Sequence, residues 1–495
     1  MDQVRTVRDV PAGYSRDDFS RIGRNGMGDQ LNAYPHSMFW YRDRLYVGTT
    51  RSNLCLFRVS KIQKNVETWP VECPDYLYDQ DMRAQIWRWD PAKATGEENS
   101  GWEMTAQSPL VKSGDEILPR ELGYRGMCTF QAKGEDTEYL YVATYAPARA
   151  YGTRILRTDN GEDFEEVPLP KGFDRAIITT RLLIPFKGKL FTSPTGRADG
   201  QPNVSGEAVI FATDDPMRGN WELVNIPGFN DPTNLGVFEL LGCGDYLYAG
   251  TANLNGYQIW RTKAEGPLPY EWERVVLVGA YRGPLNQCVA SLCAHNGVLY
   301  AGGGIQHGGI DVENGVGPAS PELIRIHPDA SWDLVCGTTR MTPDGFKPAL
   351  SGYRPGFNNL FCGYFWRMAS HDGWLYLGTF DWSLMMRYAD PQKWPGPFRR
   401  MVDKVGIESL IENQSGADLM RSRDGENWVP VTRNGFDNPY NYGIRTMAST
   451  PHGLAVGLVN PFGPRVGVHE KDGFRYEHNP DGGAEVWLGS KAPLI

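Results

Sequence analysis

The stretch "HDGWLYLGT" (371–379) recurs in variant form six more times, as "YRDRLYVGT" (41–49), "EYLYVAT" (138–144), "KGKLFTS" (187–193), "GDYLYAGT" (244–251), "NGVLYAGG" (296–303) and "HGLAVGL" (452–458). Most of these copies set a polar turn before a segment in which large apolar residues alternate with small ones, the period of a β-strand. A second phrase follows each first one, as in "TRILRTDNGEDFEEV" (153–167), "ELIRIHPDASWDLV" (322–335) and "ADLMRSRDGENWVPV" (417–431). It reads as a strand, a turn rich in Asp, Asn, Gly or Pro, and usually a Trp or Phe opening another strand. The two phrases together predict four antiparallel strands per unit.

Seven four-stranded units with loops of unequal length predict an all-β chain, a seven-bladed β-propeller of antiparallel blades forming one domain over 1–495. The repeated Leu, Tyr and Trp are then packing residues. The last unit supplies "AEVWLGS" (484–490) and no fourth strand. The N-terminal "DQVRTVRDV" (2–10) is therefore expected to close the ring, because an unpaired strand edge invites association.

The turns "RTDNGEDF" (157–164) and "RSRDGENW" (421–428) resemble the Asp-box turns of sialidases and related repeat-type bacterial β-propellers. At fold level the chain is also similar to propellers that alkylate with alkyl halides, where an Arg and a Tyr receive the leaving halide. These resemblances imply the fold and two possible chemistries, not a subfamily.

The 495 residues carry a net charge of −9 and 41% apolar residues. That charge argues against nucleic acid as the main partner, and 41% apolar residues suffice for a core. No run of about 18 apolar residues suggests a membrane span. The N-terminus lacks an apolar signal-like core, and the eight Cys are scattered without a CxxC. Free thiols and a cytoplasmic protein are expected. No phosphate loop, dinucleotide fingerprint or nucleophile elbow appears, so no cofactor is expected.

The turns between first and second strands are short, whereas the insertions 51–83, 303–321, 336–362 and 380–416 are long and fall on one face. Function on a rigid scaffold belongs on that face. A short helix is expected around "DKVGIESLIENQ" (403–414). His295, His371 and His452 fall in turns on the opposite, plain face and read as turn residues, and no metal site is expected. Strand ends bordering the centre of the elaborated face supply the candidates. Arg367, Arg445, Asp381, Tyr442, Glu239 and Arg125 are the catalytic candidates. Arg51, Arg181, Tyr124, Trp366, Phe380, Trp382, His307, Asn460 and Phe462 are the binding candidates.

Four Arg near the starts of inner strands in an acidic chain suit a carboxylate or a developing anion, because guanidinium is a planar, permanent cation. The expectation is a cofactor-independent enzyme, acting on a small aromatic or anionic molecule in an Arg-lined funnel, through alkylation or cyclisation. The alternatives are a non-catalytic ligand-binding or protein-interaction propeller and a sialidase-like hydrolase. A small-molecule ligand is the expected partner, and a monomer or simple homodimer the expected state.

Overall fold

A computed structural model of the chain describes residues 11–491 apart from 59–67, 151, 200–202, 391, 393, 395, 471 and 472, and apart from the side chain of His307. Among the described residues the protein is all-β, with a few short helices. Every repeated phrase becomes the second strand of an antiparallel hairpin. In order these are Asn32–Tyr41 with Arg44–Arg51, Gly123–Phe130 with Tyr139–Tyr145, Ile177–Phe186 with Lys189–Arg197 and Gly236–Cys243 with Tyr246–Ala252. They continue with Cys288–His295 and Val298–Gly304, Cys362–His371 and Trp374–Asp381, and Gly443–Thr450 and Gly453–Val459. Below they are the first to seventh hairpins.

A third strand pairs with the second strand of each hairpin, as Gln85–Trp89 does in the first and Leu419–Ser422 in the sixth. In the seventh it is Glu485–Gly489. That strand's outer edge is covered by Phe19–Gly23, running antiparallel from the other end of the described chain. Residues 2–10, expected in this place, lie outside the described residues. The pairing strand is the later segment, which brings Phe19 onto the ring of Phe436 and Ile22 into the cluster around Trp89.

The first strand of each hairpin lies against the first strand of the next, and that of the seventh lies against that of the first. This close packing explains the Gly of the repeated phrase. A Cβ at Gly250 would fall 2.6 Å from Cβ of Val289, and one at Gly378 would fall 2.5 Å from Cβ of Ile444, each in the following hairpin. The repeated Tyr faces the third strand, since Tyr46, Tyr141, Tyr248 and Tyr300 lie close enough to Arg88, Arg157, Arg261 and Arg325 there to influence them electrostatically. In the turn 421–428, Asp424 accepts hydrogen bonds from the amides of Glu426 and Asn427. Gly425 in that turn receives the Tyr300 hydroxyl of the preceding unit.

All seven first strands carry a β-bulge at the same step of the register. The extra residues are His36, Arg125 and Arg181 in the first three hairpins, Phe238 and Ala290 in the next two, and Trp366 and Arg445 in the last two. A bulge leaves one residue without a ladder partner and re-aims its side chain.

The insertions of the first, sixth and seventh units pack on one another. Leu54, Val71, Leu384, Val402, Ile411 and Phe462 join one apolar cluster that also holds Tyr34 and Tyr442, with Trp366 and Phe380 packed against it. The 403–414 insert holds parts of two helices, Gly396–Val405 and Ile407–Gln414. Cys55 and Cys73 form a disulfide within the first insertion, whereas the other six Cys are free. The scattered Cys are thus mostly free, and this pair, whose Cα atoms are 5.5 Å apart, is the exception.

Candidate functional site

Of the sequence candidates, the structure brings together Arg125, Arg181, Arg367, Arg445, Glu239 and Trp366. Arg445 exerts an electrostatic influence on Arg125, Arg181 and Arg367 alike, and Glu239 does so on Arg181 and Arg367. Arg445 of the seventh hairpin thus reaches Arg181 of the third, and Glu239 of the fourth reaches Arg367 of the sixth, so their side chains meet near a common centre. Arg367 and Glu239 sit one residue after the bulge, opposite Gly378 and Gly250. Trp366 and Phe238 hold the equivalent bulge places. The expectation that all four Arg occupy one position is therefore corrected for Arg367.

Two residues that sequence reasoning missed, His36 and Tyr34, join the group. His36 stands at the first hairpin's bulge, where its Nε2 accepts from Arg125 Nε at 3.1 Å and its Nδ1 lies 2.7 Å from Thr50 Oγ1. Burial and the nearby Arg125, Arg445 and Arg181 drive its pKa well below the usual histidine range, so it is neutral. Nδ1 then carries the proton and donates to Thr50. Tyr34 packs on His36 and meets Trp366 edge-on. The signal was available: "PHSM" occupies the strand position that "YRGM" occupies in the second hairpin.

Arg125 also donates to Thr179 Oγ1 at 3.0 Å and to Asn203 Oδ1 at 3.4 Å. Arg181 donates twice to the Phe238 carbonyl and lies 3.7 Å above that ring's centroid. Arg445 lies over Trp366, 5.9 Å from the centroid. Among the described residues, none of Arg125, Arg181, Arg367 and Arg445 forms an ion pair with a carboxylate. Burial lowers the pKa of Arg125 and Arg181, with like charges adding to it, and burial also lowers that of Arg367. A guanidinium keeps its proton under such pressure, so the cost remains as unbalanced buried positive charge.

The other candidates lie outside the guanidinium group, although Phe380 meets the Trp366 ring edge-on at 5.2 Å and Tyr442 packs on Phe380. Arg51 is buried against Asp29 at 2.8 Å and donates to the Asp81 carbonyl, which makes it a structural staple. Tyr124 belongs to the core cluster between the first two units. Asn460 donates to Asn441 and to the Asp481 carbonyl. Phe380, Trp382, Phe462 and Tyr442 belong to the apolar cluster of the insertions, and the Tyr442 hydroxyl accepts from Asn53. His307 falls in the short turn Gln306–Gly309, and its side chain lies outside the described residues. In the plain-face turns, His295 bonds to Ser370 and His371 to Ser449, each in the next hairpin.

Asp381 is not in the Arg group. It is buried and accepts from the Ser383 amide and hydroxyl and from Asn359. Burial pushes its pKa up to about 8, with the neighbouring Asp418 adding to the rise. The folded value lies above the unfolded one, so the folded state retains a proton that the unfolded state releases. Its stabilising contribution is full below about pH 4 and is lost as pH rises to about 8. His36, whose folded pKa is depressed, acts in the opposite sense below about pH 6.5. Denaturant unfolding should therefore show stability falling from pH 6.5 to 8, by at most about 1.4 kcal/mol per pH unit for this one proton. A rise over that window would contradict the assignment.

A surface groove of about 590 Å³, lined by Arg282, Ser320 and Arg354, lies apart from the Arg group. Its Arg282 is already engaged with Glu322, Asn286 and the Ser320 carbonyl.

No family model and no curated protein matches the chain. Among solved structures it is similar to a polysaccharide lyase, at 10% identity and a TM-score of 0.44, over 93% of this chain and 90% of that one. It is also similar to a puromycin-hydrolysing peptidase of Mycobacterium tuberculosis, at 12% identity and 0.42, over 95% of this chain and 55% of that one. A GH43 β-1,3-galactosidase solved with galactodeoxynojirimycin shares 10% identity at 0.33, over 65% of this chain and 98% of that one. Likenesses this distant carry no activity across to the chain.

Proposed function

We propose that the seven units are the blades of a closed β-propeller and that its central channel binds a small organic anion and acts on it without a cofactor. The observation that carries this reading is the group of four guanidinium groups, Arg125 and Arg445 buried and Arg181 and Arg367 half-buried, with one carboxylate and a neutral His, and with no ion pair among them in the described residues. Buried charge is tolerated when an opposite charge meets it, and preorganised cations stabilise negative charge that develops in a transition state. In this reading Arg125, Arg181, Arg367 and Arg445 hold the ligand's anionic group or the anion formed on reaction. Glu239, the carboxylate among them, is the base that takes the proton. Hydrolysis of a glycosidic bond by a carboxylate pair would need a second carboxylate beside Glu239. Asp381 is held elsewhere by Asn359 and Ser383, which makes hydrolysis by a carboxylate pair the weaker reading.

Arg367→Met tests the proposal, because it keeps the apolar stem and removes the charge. Benzoate binding, measured by calorimetry at low ionic strength, should weaken by roughly 30-fold or more, as expected for loss of a buried charge contact. Unfolding free energy should stay near that of the unaltered protein, since no carboxylate is stranded. A destabilisation of about 3–5 kcal/mol would show instead that Arg367 staples the blades.

A further inference from the structure

The bulge ring is two-sided. Going round from the seventh hairpin to the third it presents Arg445, His36, Arg125 and Arg181, and across the fourth to sixth it presents Phe238, Ala290 and Trp366. The two aromatic rings stand next to the ends of the cationic arc, under Arg181 and Arg445. Between them the fifth hairpin offers only a methyl group. In every other hairpin this position carries a long or aromatic side chain, so Ala290 is the small member of the ring, and Tyr364 of the sixth hairpin stands between the two walls, packed against the Phe238 cluster and 5.9 Å from the Trp366 ring. Glu239 and Arg367, from the fourth and sixth hairpins, sit one residue beyond Phe238 and Trp366 and act on one another electrostatically across the fifth.

We propose that the ligand is a flat aromatic carboxylate, with its charge against Arg125 and Arg445, its ring between Phe238 and Trp366, and Ala290 as the residue that sets how large that ring can be. This inference rests on the anion-binding reading and adds to it the shape and orientation of the ligand. Two aromatic walls favour a planar group through offset or edge-on ring contacts, which a saturated ring of similar size cannot make equally well. A pocket that is mostly apolar with a few convergent polar groups fixes orientation in the same way. A side chain larger than that of Ala290 crowds the aromatic walls and leaves the cationic arc in place.

The test compares acetate, cyclohexanecarboxylate and benzoate by calorimetry on the full chain and on Ala290→Leu, with Arg125→Met alongside. The unaltered protein should bind benzoate at least 30-fold more tightly than acetate and about 5-fold more tightly than cyclohexanecarboxylate. Ala290→Leu should weaken benzoate by at least 30-fold and acetate by less than 3-fold, while Arg125→Met weakens all three. Equal affinities for acetate and benzoate, or for benzoate and cyclohexanecarboxylate, overturn the aromatic assignment while leaving anion binding intact. Benzoate affinity unchanged in Ala290→Leu overturns the role of Ala290. If none of the three carboxylates binds, or Arg125→Met changes nothing, the anion reading itself fails. Should Ala290→Leu not fold, the comparison on the unaltered protein still decides the aromatic assignment.

Discussion

Removing everything before Arg24 should cost the protein roughly 5–9 kcal/mol of unfolding free energy, measured by denaturant titration, and should make it self-associate in light scattering. The magnitude comes from Tyr14, Phe19 and Ile22, which are buried in the intact chain, at about 1.5–3 kcal/mol for each large apolar side chain returned to water. Tyr14 adds specific contacts, since its amide donates to the Tyr376 hydroxyl and its own hydroxyl bonds to His371. The lost strand also exposes the edge of Glu485–Gly489, with its unpaired backbone groups and the ring of Trp487. Unchanged stability in the truncated chain would mean that Phe19–Gly23 does not hold the seventh unit.

Glu322→Ala should be the most damaging single substitution among the buried ion pairs, costing about 3–5 kcal/mol. Glu322 is fully buried at the start of the fifth unit's third strand. Its two oxygens accept from Arg340 at 3.0 and 2.8 Å, from the Thr338 amide at 2.7 Å and from Asn286 at 3.2 Å. Truncation strands those donors and leaves Arg340 half-buried without its counter-ion. Glu265→Ala, which removes an exposed partner of Lys187, is the control and should leave unfolding unchanged. If Glu322→Ala behaves like that control, the buried network is not what holds the fifth unit to its flanking loops.

Glu322 belongs to a pattern that local sequence did not announce. An Asn just before a first strand, at Asn32, Asn234, Asn286 and Asn441, bonds to Gln85, Gln258, Glu322 and Glu485 at the start of the third strand. Three of those partners also accept from a Trp two residues later: Trp87, Trp260 and Trp487. The loops leading into these strands hold residues such as Phe229 and Phe436 in left-handed backbone conformation. Spelled "GFNDPTN" and "GFDNPYN", they look like ordinary loops until the fold brings their distant partners beside them.

The sequence by itself determined what depends on local alternation and spacing. Seven copies of one strand phrase implied an all-β chain of hairpins, and the repeated Leu, Tyr and Trp were legible as packing residues, whereas the close approach at Gly250 and Gly378 was not. Arg125, Arg181 and Arg445 were visible as residues near the starts of inner strands. Only the tertiary structure decided which residue of each strand faces the centre. A bulge is a mismatch between two strands, so its place is set by their pairing and not by either strand's composition. That one-residue step puts His36, Phe238, Ala290 and Trp366 in the ring and moves Arg367 and Glu239 one place beyond it. Asp381 looked like a base because it ends a strand beside aromatic residues, yet Asn359 and Ser383 turn it into the protein. The Cys55–Cys73 pair and the pairing of Phe19–Gly23 with the seventh unit join residues whose nearness exists only once the chain has folded, and no periodicity along the chain encodes it.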